Sequence, residues 1–400
     1  MTNFNQSEVM QYVQETDVKF IRLAFCDVYG RQKNLAIMPS ELERAFHSGI
    51  AIDASSIQGF GGTLRSDLFL HPEPSTLTAL PWRPQTGRVV QMFCRITRPD
   101  GSPFEADSRE VLRRAVHAAE EKGYAFAIGS EMEFYLFRLD ENGEPTKIPY
   151  DRAGYMDIAP EDKGENVRRE ICLTLEQMGM KPECSHHESG PGQNEIDFRY
   201  ADPLTAADNA ILFRTVVRAI AAQHGLWADF SPRPLPDHDG SGMHLNISLK
   251  SREGESLLPQ IIAGILDKIR EMTVFFNPVE NSYQRLGRDK APGRVSWSAE
   301  NRSQLIRIPA AQGEYRRVEL RSPDSMANPY LAMALVLHGV MDGIEEGVPL
   351  PEPMDSLEPE GSESAEKLPG TLEEAKALAA KSTFLKKHIP DMILEAYCRD

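Results

Sequence analysis

The residues best suited to chemistry are carboxylates and histidines placed inside apolar, strand-like stretches. Glu131 and Glu133 lie two residues apart in AFAIGSEMEFYLF, residues 125–137, so both side chains project from one face of the predicted strand. Two like charges on a buried face repel each other unless a cation lies between them. The pattern therefore fits either an exposed strand face or a metal site.

A second acidic cluster surrounds a turn in SHHESGPGQNEIDF, residues 185–198. The Gly-Pro-Gly sequence at 190–192 forces a turn between two short extended segments, which brings Glu195 close to Glu188. Together with Glu133, these carboxylates form an all-oxygen ligand set that suits Mg²⁺ or Mn²⁺. Adjacent histidines are more often structural than metal ligands, and we assign at most a supporting role to the pair in this cluster, His186 and His187.

A glycine-rich loop, DGSGMH at 239–244, leads into another predicted strand. Its glycines allow backbone N–H groups to approach a ligand closely. His244 begins the strand, where it is either a metal ligand or, as a lone histidine more commonly is, a satisfied core residue.

Arginines are concentrated further along the chain, at Arg285, Arg302, Arg307, Arg316, Arg317 and Arg321. An arginine in an apolar context requires a carboxylate or phosphate to pair with. Alternation in RRVELR places Arg317, Glu319 and Arg321 on one strand face. A glutamate between two arginines usually forms a plain salt bridge with them, and this is the simplest interpretation of the arrangement. Combined with clustered glutamates, it also supplies the parts of a metal–nucleotide site. The sequence contains no GxxxxGK[ST] loop, so any ATP site uses another architecture.

These residues require strands to carry them, and the sequence predicts helices and strands in α+β order. Residues 1–101 predict a mainly β domain. Asp107 and Glu110 predict a capping box at the start of a helix that ends at Gly123. Residues 348–370 are rich in Pro, Glu and Ser and predict a mobile acidic loop. Other strands are predicted at 125–137, 244–249 and 316–322, and helices at 164–179, 203–224, 257–276, 327–344 and 371–389.

Composition argues against several classes of protein. The 44 Lys and Arg residues against 60 Asp and Glu residues give a net charge of −16, whereas nucleic-acid and anionic-membrane surfaces need a basic face. No apolar run reaches the length of about 18 residues that a membrane span needs, and the N-terminus does not match a secretory signal. The five cysteines lack CxxC spacing and indicate reduced thiols. We therefore expect a soluble cytoplasmic protein.

Several blocks together resemble type I glutamine synthetases: DASSIQGF (53–60), the 185–198 block, GSGMHLNISL (240–249), NSYQRL (281–286), NRSQLIRIP (301–309), RRVELRSPD (316–324) and ANPYLA (327–332). They occur in the family's order and cover most of the chain. The resemblance implies an α+β fold, with a β-grasp domain at 1–101 and a catalytic domain at 102–400 built on a curved antiparallel sheet flanked by helices. It also implies hexameric rings, usually stacked into dodecamers, with each active site between neighbouring subunits.

The implied reaction joins ammonia to L-glutamate at the expense of ATP, with two or three Mg²⁺ or Mn²⁺ ions. By resemblance, one metal is held by Glu133, Glu188 and Glu195, and another by Glu131, His244 and Glu319. The residues implied for glutamate are Gly240, Asp239, Arg285, Arg321 and Tyr155. Those implied for ATP are Glu183, Asn246, Ser248, Arg302, Arg307 and Arg317. Those implied for catalysis are Asp53, Arg321 and Arg302. Of these, Asp53 receives the ammonium proton in the neighbouring subunit's site.

The sequence departs from the family pattern in the segment that closes the site. The family reads RLVPGYEAP, with a glutamate that takes a proton from the amine; this chain reads RLGRDKAP at 285–292. It is one residue shorter, with Lys290 in place of the glutamate, so either Asp289 takes that role or the segment supplies no base. Asp239 replaces the family's asparagine. The C-terminal part is also shorter than in the family pattern. This argues against a stacked double ring more than against a single hexamer.

Three functions remain open at this stage. Asp53 favours glutamine synthesis from ammonia, whereas Lys290 favours a γ-glutamyl ligase for another amine, such as a polyamine or alkylamine. A non-catalytic relative used for assembly predicts losses among the metal ligands, and all six implied ligands are present.

Overall fold

The structure is a computed structural model of the 400-residue chain. It describes residues 4–62, 64–83, 86–299, 301–311, 313, 316–355 and 365–399. Within these residues the chain forms an N-terminal sheet followed by a larger sheet with helices packed against it. The predicted α+β class is confirmed.

The N-terminal sheet has the strand order β2-β1-β6-β4-β3, with β5 paired to β6. β1 and β6 run parallel, and the other pairs are antiparallel. Helix α1 (Gln6–Glu15), which is not among the predicted elements, begins at a capping box formed by Asn5 and Glu8. The remaining elements are β1 (Val18–Cys26), β2 (Gln32–Ile37), α2 (Leu42–Ser48), β3 (Ile50–Asp53), β4 (Asp67–Pro72), β5 (Thr78–Ala79) and β6 (Arg88–Thr97).

The larger sheet is a curled half-barrel with the order β13-β14-β15-β12-β7-β10-β9, and β8 and β11 also pair with β7. The described pairs are antiparallel except β13 with β14. The strand predicted at 316–322 is shorter in the structure, because only Val318–Leu320 pair with neighbouring strands. Arg316, Arg317 and Arg321 lie outside these paired residues. The strands are β7 (Ala125–Leu139), β8 (Pro145–Pro149), β9 (Pro182–His187), β10 (Gln193–Phe198), β11 (Leu226–Asp229), β12 (Met243–Lys250), β13 (Trp297–Ser298), β14 (Ile306–Arg307) and β15 (Val318–Leu320).

One face of this sheet belongs to the hydrophobic core. Met132 of β7, Leu245 of β12 and Leu320 of β15 are fully buried. The residues next to them along each strand point to the opposite face of the sheet. Behind the core, two helices approach closely at glycines: a Cβ on Gly343 would lie 2.6 Å from Cα of Gly264. The helices are α3 (Ser108–Glu121), α4 (Glu165–Gln177), α5 (Pro203–Gln223), α6 (Leu258–Phe276), α7 (Ser282–Arg285) and α8 (Pro329–Glu346).

The C-terminal helix predicted at 371–389 is wrong as a single element. Ser382 adopts an extended conformation, and its side chain accepts a hydrogen bond from the backbone N–H of Leu385, so it begins a new helix. The chain therefore ends in three short helices, Leu372–Lys381, Thr383–His388 and Asp391–Cys398.

The segment 348–370 is described at both ends. Met354 N–H donates to the Trp297 carbonyl at 2.8 Å, and Leu368 N–H donates to the Gly293 carbonyl at 3.0 Å. Residues 356–364 lie outside the described residues, so the mobile loop stays a prediction. None of the helices among the described residues has the length and apolar character needed to cross a membrane.

Helix α3 begins as predicted at Asp107, but only half of the capping box forms. Asp107 accepts from the backbone N–H groups of Arg109 and Glu110, whereas the Glu110 carboxylate pairs with Arg113 and Arg114. Burial raises the pKa of Asp107 from 3.8 to about 6.

We expect Asp107 to make stability fall as pH rises from about 4 to 6. An acid with a raised folded-state pKa favours folding most when protonated, and this contribution is lost as the folded carboxyl ionises. Relative to Asp107→Asn, the wild-type free energy of unfolding should fall by about 2 kcal/mol across this range. Urea unfolding of both proteins at several pH values tests this, and parallel pH profiles would contradict it. The Asn variant also loses the acceptor for the Ile96 N–H, so the pH dependence, and not one absolute value, is compared.

Candidate active site

The polar face of the larger sheet gathers side chains from several strands in register. Glu195 and Asp197 of β10 lie opposite Glu133 and Glu131 of β7, and His244 of β12 also lies opposite Glu131. The face continues across β12, β15 and β14 through Asn246, Glu319 and Arg307. The strand period of two thus places the predicted carboxylates on one surface.

Glu131, His244 and Glu319 form the first group of possible metal ligands, with ligand atoms within 4.8 Å of one another. His244 Nδ1 lies 3.1 Å from Glu131 Oε2 and 3.4 Å from Glu319 Oε1. Two arginines contact the same glutamate: Arg307 Nη1 donates to Glu319 Oε2 at 3.0 Å, and Arg321 Nε donates to Oε1 at 3.2 Å. These are the three residues implied for one metal by the resemblance.

Hydrogen bonds keep Glu131 ionised in this buried place. Burial opposes ionisation, but His244 and the Asn246 amide, which donates at 2.8 Å, outweigh it and lower the pKa of Glu131 to about 2. Burial likewise disfavours the charged form of His244, yet Glu131 raises the pKa of His244 overall. The group thus places the ionised carboxylate of Glu131 beside an imidazole.

Glu188, Glu195 and His186 form the second group, again with ligand atoms within 4.8 Å. His186 Nε2 lies 3.3 Å from Glu188 Oε1 and 4.0 Å from Glu195 Oε1. Glu133 lies opposite Glu195, and its Oε2 accepts from the backbone N–H of Gly242 at 2.7 Å. The turn at 190–192 brings Glu188 and Glu195 together, as its sequence predicted.

The carboxylates of this face repel one another. Burial, with the charge of Glu133 next in size, raises the pKa of Glu195 well above its ordinary value. Burial and the charge of Glu131 raise the pKa of Asp197 to about 6. A divalent cation would relieve this repulsion, and a set of oxygens with one imidazole suits Mg²⁺ or Mn²⁺. The residues present therefore fit metal binding.

The predicted ligand sets lack two residues of this face, His186 and Asp197. His186 was given a supporting role, but its ring lies among the second group. Asp197 was not assigned at all, although it follows Glu195 at the same two-residue spacing that singled out Glu131 and Glu133. That spacing was the available signal.

His187 forms a buried cluster with Asp151 and Asp162, a third group whose possible ligand atoms lie within 4.8 Å of one another. It is fully buried, and its Nε2 lies 2.9 Å from Asp151 Oδ1. Asp151 also accepts from the backbone N–H groups of Gly192 at 2.9 Å and Lys163 at 3.1 Å. These bonds hold segment 151–163 against the turn, and this segment carries Tyr155, whose ring packs edge-on against His186.

The glycine-rich loop lies over a buried arginine. A Cβ on Gly240 would lie 2.4 Å from the Pro232 carbonyl oxygen, so a larger residue does not fit there. Arg285 donates to the carbonyls of Ser322 at 2.8 Å and Arg321 at 3.2 Å. Burial lowers the pKa of Arg285, which indicates that its charge is poorly compensated.

Several residues implied for ATP extend from the first group of ligands. Arg317 Nε donates to Asn246 Oδ1 at 2.8 Å, and Ser248 lies two residues beyond Asn246 on β12. Arg302 is exposed, and its carbonyl oxygen accepts from the Arg321 guanidinium. This end of the sheet therefore presents guanidinium groups beside the carboxylates of the first group.

Two further predicted residues, Glu183 and Asp53, also lie at exposed positions. Glu183 is on β9, at the edge of the larger sheet. Asp53 ends β3 in the N-terminal sheet, and a hydrogen bond from the Ser55 N–H, at 2.9 Å, lowers the pKa of Asp53. Asp53 is thus an exposed, ionised carboxylate on a different sheet from the metal-ligand groups.

In the segment that departs from the family pattern, the structure separates Asp289 from Lys290. Asp289 Oδ2 pairs with Arg233 Nη1 at 2.8 Å. Lys290 Nζ donates to Ser189 Oγ at 2.6 Å and lies 3.4 Å from Glu188 Oε2. Lys290, and not Asp289, therefore reaches the second group of ligands.

Comparison with known proteins matches both sheets to one family. Residues 17–99 match the glutamine synthetase β-grasp domain, and residues 105–399 match the glutamine synthetase catalytic domain. The chain is 43% identical to a glutamine synthetase of Clostridium saccharobutylicum, with 99% of this chain and 94% of that protein covered. This chain belongs to the glutamine synthetase family. The expected β-grasp domain and glutamine-synthetase-type catalytic domain are confirmed.

Another glutamine synthetase and two solved structures are also similar to this chain. A glutamine synthetase of Methanosarcina mazei is 43% identical, with 98% and 92% of the two chains covered. A solved structure described as a GmaS/ADP complex superposes with a TM-score of 0.88 at 26% identity, over 98% of this chain and 94% of that one. A structure described as GmaS without ligand gives a TM-score of 0.89 at 26% identity.

Proposed function

We propose that this protein ligates ammonia to the γ-carboxylate of L-glutamate, using ATP and giving glutamine, ADP and phosphate. The observation that carries the proposal is the pair of ligand groups on one sheet face, flanked by arginines, in a chain of the glutamine synthetase family. Clustered carboxylates with arginines suit transfer of a phosphoryl group from a metal-bound nucleotide.

Each set of residues has a proposed ligand. Glu131, His244 and Glu319 would hold one Mg²⁺ or Mn²⁺ ion, and Glu133, Glu188 and Glu195 another. Bound metal would neutralise charge on the phosphates. ATP would contact Glu183, Asn246, Ser248, Arg302, Arg307 and Arg317. Glutamate would contact Tyr155, Asp239, Gly240, Arg285 and Arg321.

The reaction would proceed in two displacements. A γ-carboxylate oxygen of glutamate attacks the γ-phosphorus of ATP, and ADP leaves. Ammonia then attacks the carbonyl carbon of γ-glutamyl phosphate, and phosphate leaves. Arg321 and Arg302 would stabilise charge on the transferred group.

Asp53 would take the proton from ammonium, because ammonium has no free electron pair with which to attack. We propose, from the resemblance to the family, that a neighbouring subunit supplies Asp53, within hexameric rings or dodecamers.

Lys290 favours a second candidate, in which the acceptor is a larger primary amine such as an alkylamine or polyamine. Lys290 stands where the family pattern has the glutamate that takes a proton from the amine, so the side chain that this segment places beside Glu188 is not that base. The two candidates share the proposed metal and ATP residues and differ in the acceptor.

Phosphate release with ATP, Mg²⁺ and glutamate tests the proposal, with ammonia and a panel of primary amines compared at matched free-base concentration. We expect stimulation by ammonia and its loss by a factor of about 100 or more in Asp53→Ala. Asp67→Ala is the matched control, because Asp67 is an exposed carboxylate paired with Asp53 across β3 and β4. Equal activity of the two variants would contradict the role of Asp53. Stimulation by one larger amine but not by ammonia would establish the second candidate.

A further inference from the structure

The ammonium group of Lys290 lies in a pocket suited to a free cation. Nζ donates to Ser189 Oγ at 2.6 Å and lies 3.4 Å from Glu188 Oε2 and 3.7 Å from Asp239 Oδ2. It also lies 4.9 Å from the centre of the Tyr155 ring. Carboxylates and an aromatic face are groups that attract ammonium ions. Lys290 therefore fills a cation pocket of its own chain.

The backbone of the loop holds Lys290 in this position. Asp289 has a φ of 51°, in the left-handed region, and its carboxylate is paired with Arg233. Gly287 N–H donates to the Pro292 carbonyl at 3.1 Å, which closes the base of the loop. With Asp289 held by Arg233, the side chain that reaches the pocket is that of Lys290.

Charge in the pocket is balanced between two residues that depart from the family pattern. Asp239 adds a negative charge and Lys290 a positive charge, and their charged atoms lie 3.7 Å apart. Without Lys290, the carboxylates of Asp239 and Glu188 would face the pocket with no cation from the loop. The pocket would then be free to attract one from solution.

We propose that Lys290 lowers the affinity of the acceptor site for cationic amines, because its side chain competes with free ammonium ion for the pocket formed by Glu188, Asp239 and Tyr155. The inference rests on the proposed function, because the acceptor amine is taken to enter through this pocket. A side chain tethered beside its pocket acts at an effective concentration of about millimolar or higher, so free ammonium displaces it only at comparable concentrations.

Lys290→Met tests the competition, because methionine keeps an unbranched side chain and removes the charge. In phosphate-release assays with Mg²⁺, we expect the KM for ammonium to fall about tenfold or more, with the KM for ATP changed less than about twofold. The matched control is Arg288→Met, which removes a positive charge from an exposed side chain of the same loop. A KM for ammonium in Lys290→Met within about twofold of the wild-type value would overturn the inference.

Direct binding separates this inference from the proposed function. Calorimetric titration of methylammonium chloride into each protein, with Mg²⁺ and ADP present, should show binding about tenfold tighter to Lys290→Met than to the wild type or Arg288→Met. If no acceptor stimulates phosphate release, the proposed function fails. The titration still shows whether Lys290 competes with a free cation for the pocket. Equal methylammonium affinity in all three proteins would overturn the competition even if the enzyme is active.

Discussion

Replacing Glu319 with glutamine should lower kcat by a factor of about 100 to 1,000 at saturating Mg²⁺, ATP and glutamate. Glu319 accepts from Arg307 and Arg321 and lies beside His244. An amide removes the negative charge and turns one acceptor into a donor, which then faces a guanidinium group. The variant therefore loses a proposed metal ligand and the partner that orients two arginines.

Steady-state phosphate release measures this effect, and circular dichroism checks that the variant is folded. The matched control is Glu105→Gln, because Glu105 also pairs with an arginine, Arg98, but outside the proposed active site. Its kcat should stay close to the wild-type value. Retention of more than about a tenth of wild-type kcat by Glu319→Gln would contradict the role of Glu319.

Replacing Arg109 with methionine should lower the free energy of unfolding by about 3 to 5 kcal/mol. The Arg109 side chain is 6% exposed and joins three elements: it donates to Glu73 Oε2 at 2.5 Å and to both oxygens of Asp208 at 2.9 Å. Tyr330 also donates to Asp208, at 2.7 Å. Without the guanidinium, the buried carboxylate of Asp208 loses its cation, and Glu73 keeps only its pairs with Arg113 and Arg95.

Urea unfolding at neutral pH tests this expectation. Arg114→Met is the control, since Arg114 lies on the same helix but pairs with Glu110 at an exposed position, where an ion pair contributes about 1 kcal/mol or less. Similar losses in the two variants would show that the buried network does not carry the expected stability.

The alternation of residues made much of the fold and site predictable. In β7, β12 and β15, apolar residues alternate with Glu131, His244 and Glu319, and this period of two fixes which side chains share a face. The Gly-Pro-Gly turn at 190–192 predicted that Glu188 and Glu195 come together. Local chemistry was sufficient in these places because a strand or turn alone determines the side-chain direction.

Contacts between distant segments were not predictable in the same way. The pairing of Asp289 with Arg233 settles which side chain of its loop reaches Glu188, and nothing near Asp289 in the sequence signals Arg233. The break at Ser382 was missed because its cap competes with an apolar helical pattern that continues on both sides. In each case a single hydrogen bond or ion pair decided between two local structures of similar propensity.

The two-faced strands also limit which changes in length the gene can accept. Deleting one residue at the start of β12 would move Leu245 to the position of His244, because side chains alternate along a strand. Asn246 would then point into the core. A change of two residues would restore the faces but shift every pair along β7. Loops such as 251–256, which lie outside these strands, are free of this constraint. Length variation within this lineage should therefore accumulate between the strands, while the strands diverge by substitution alone.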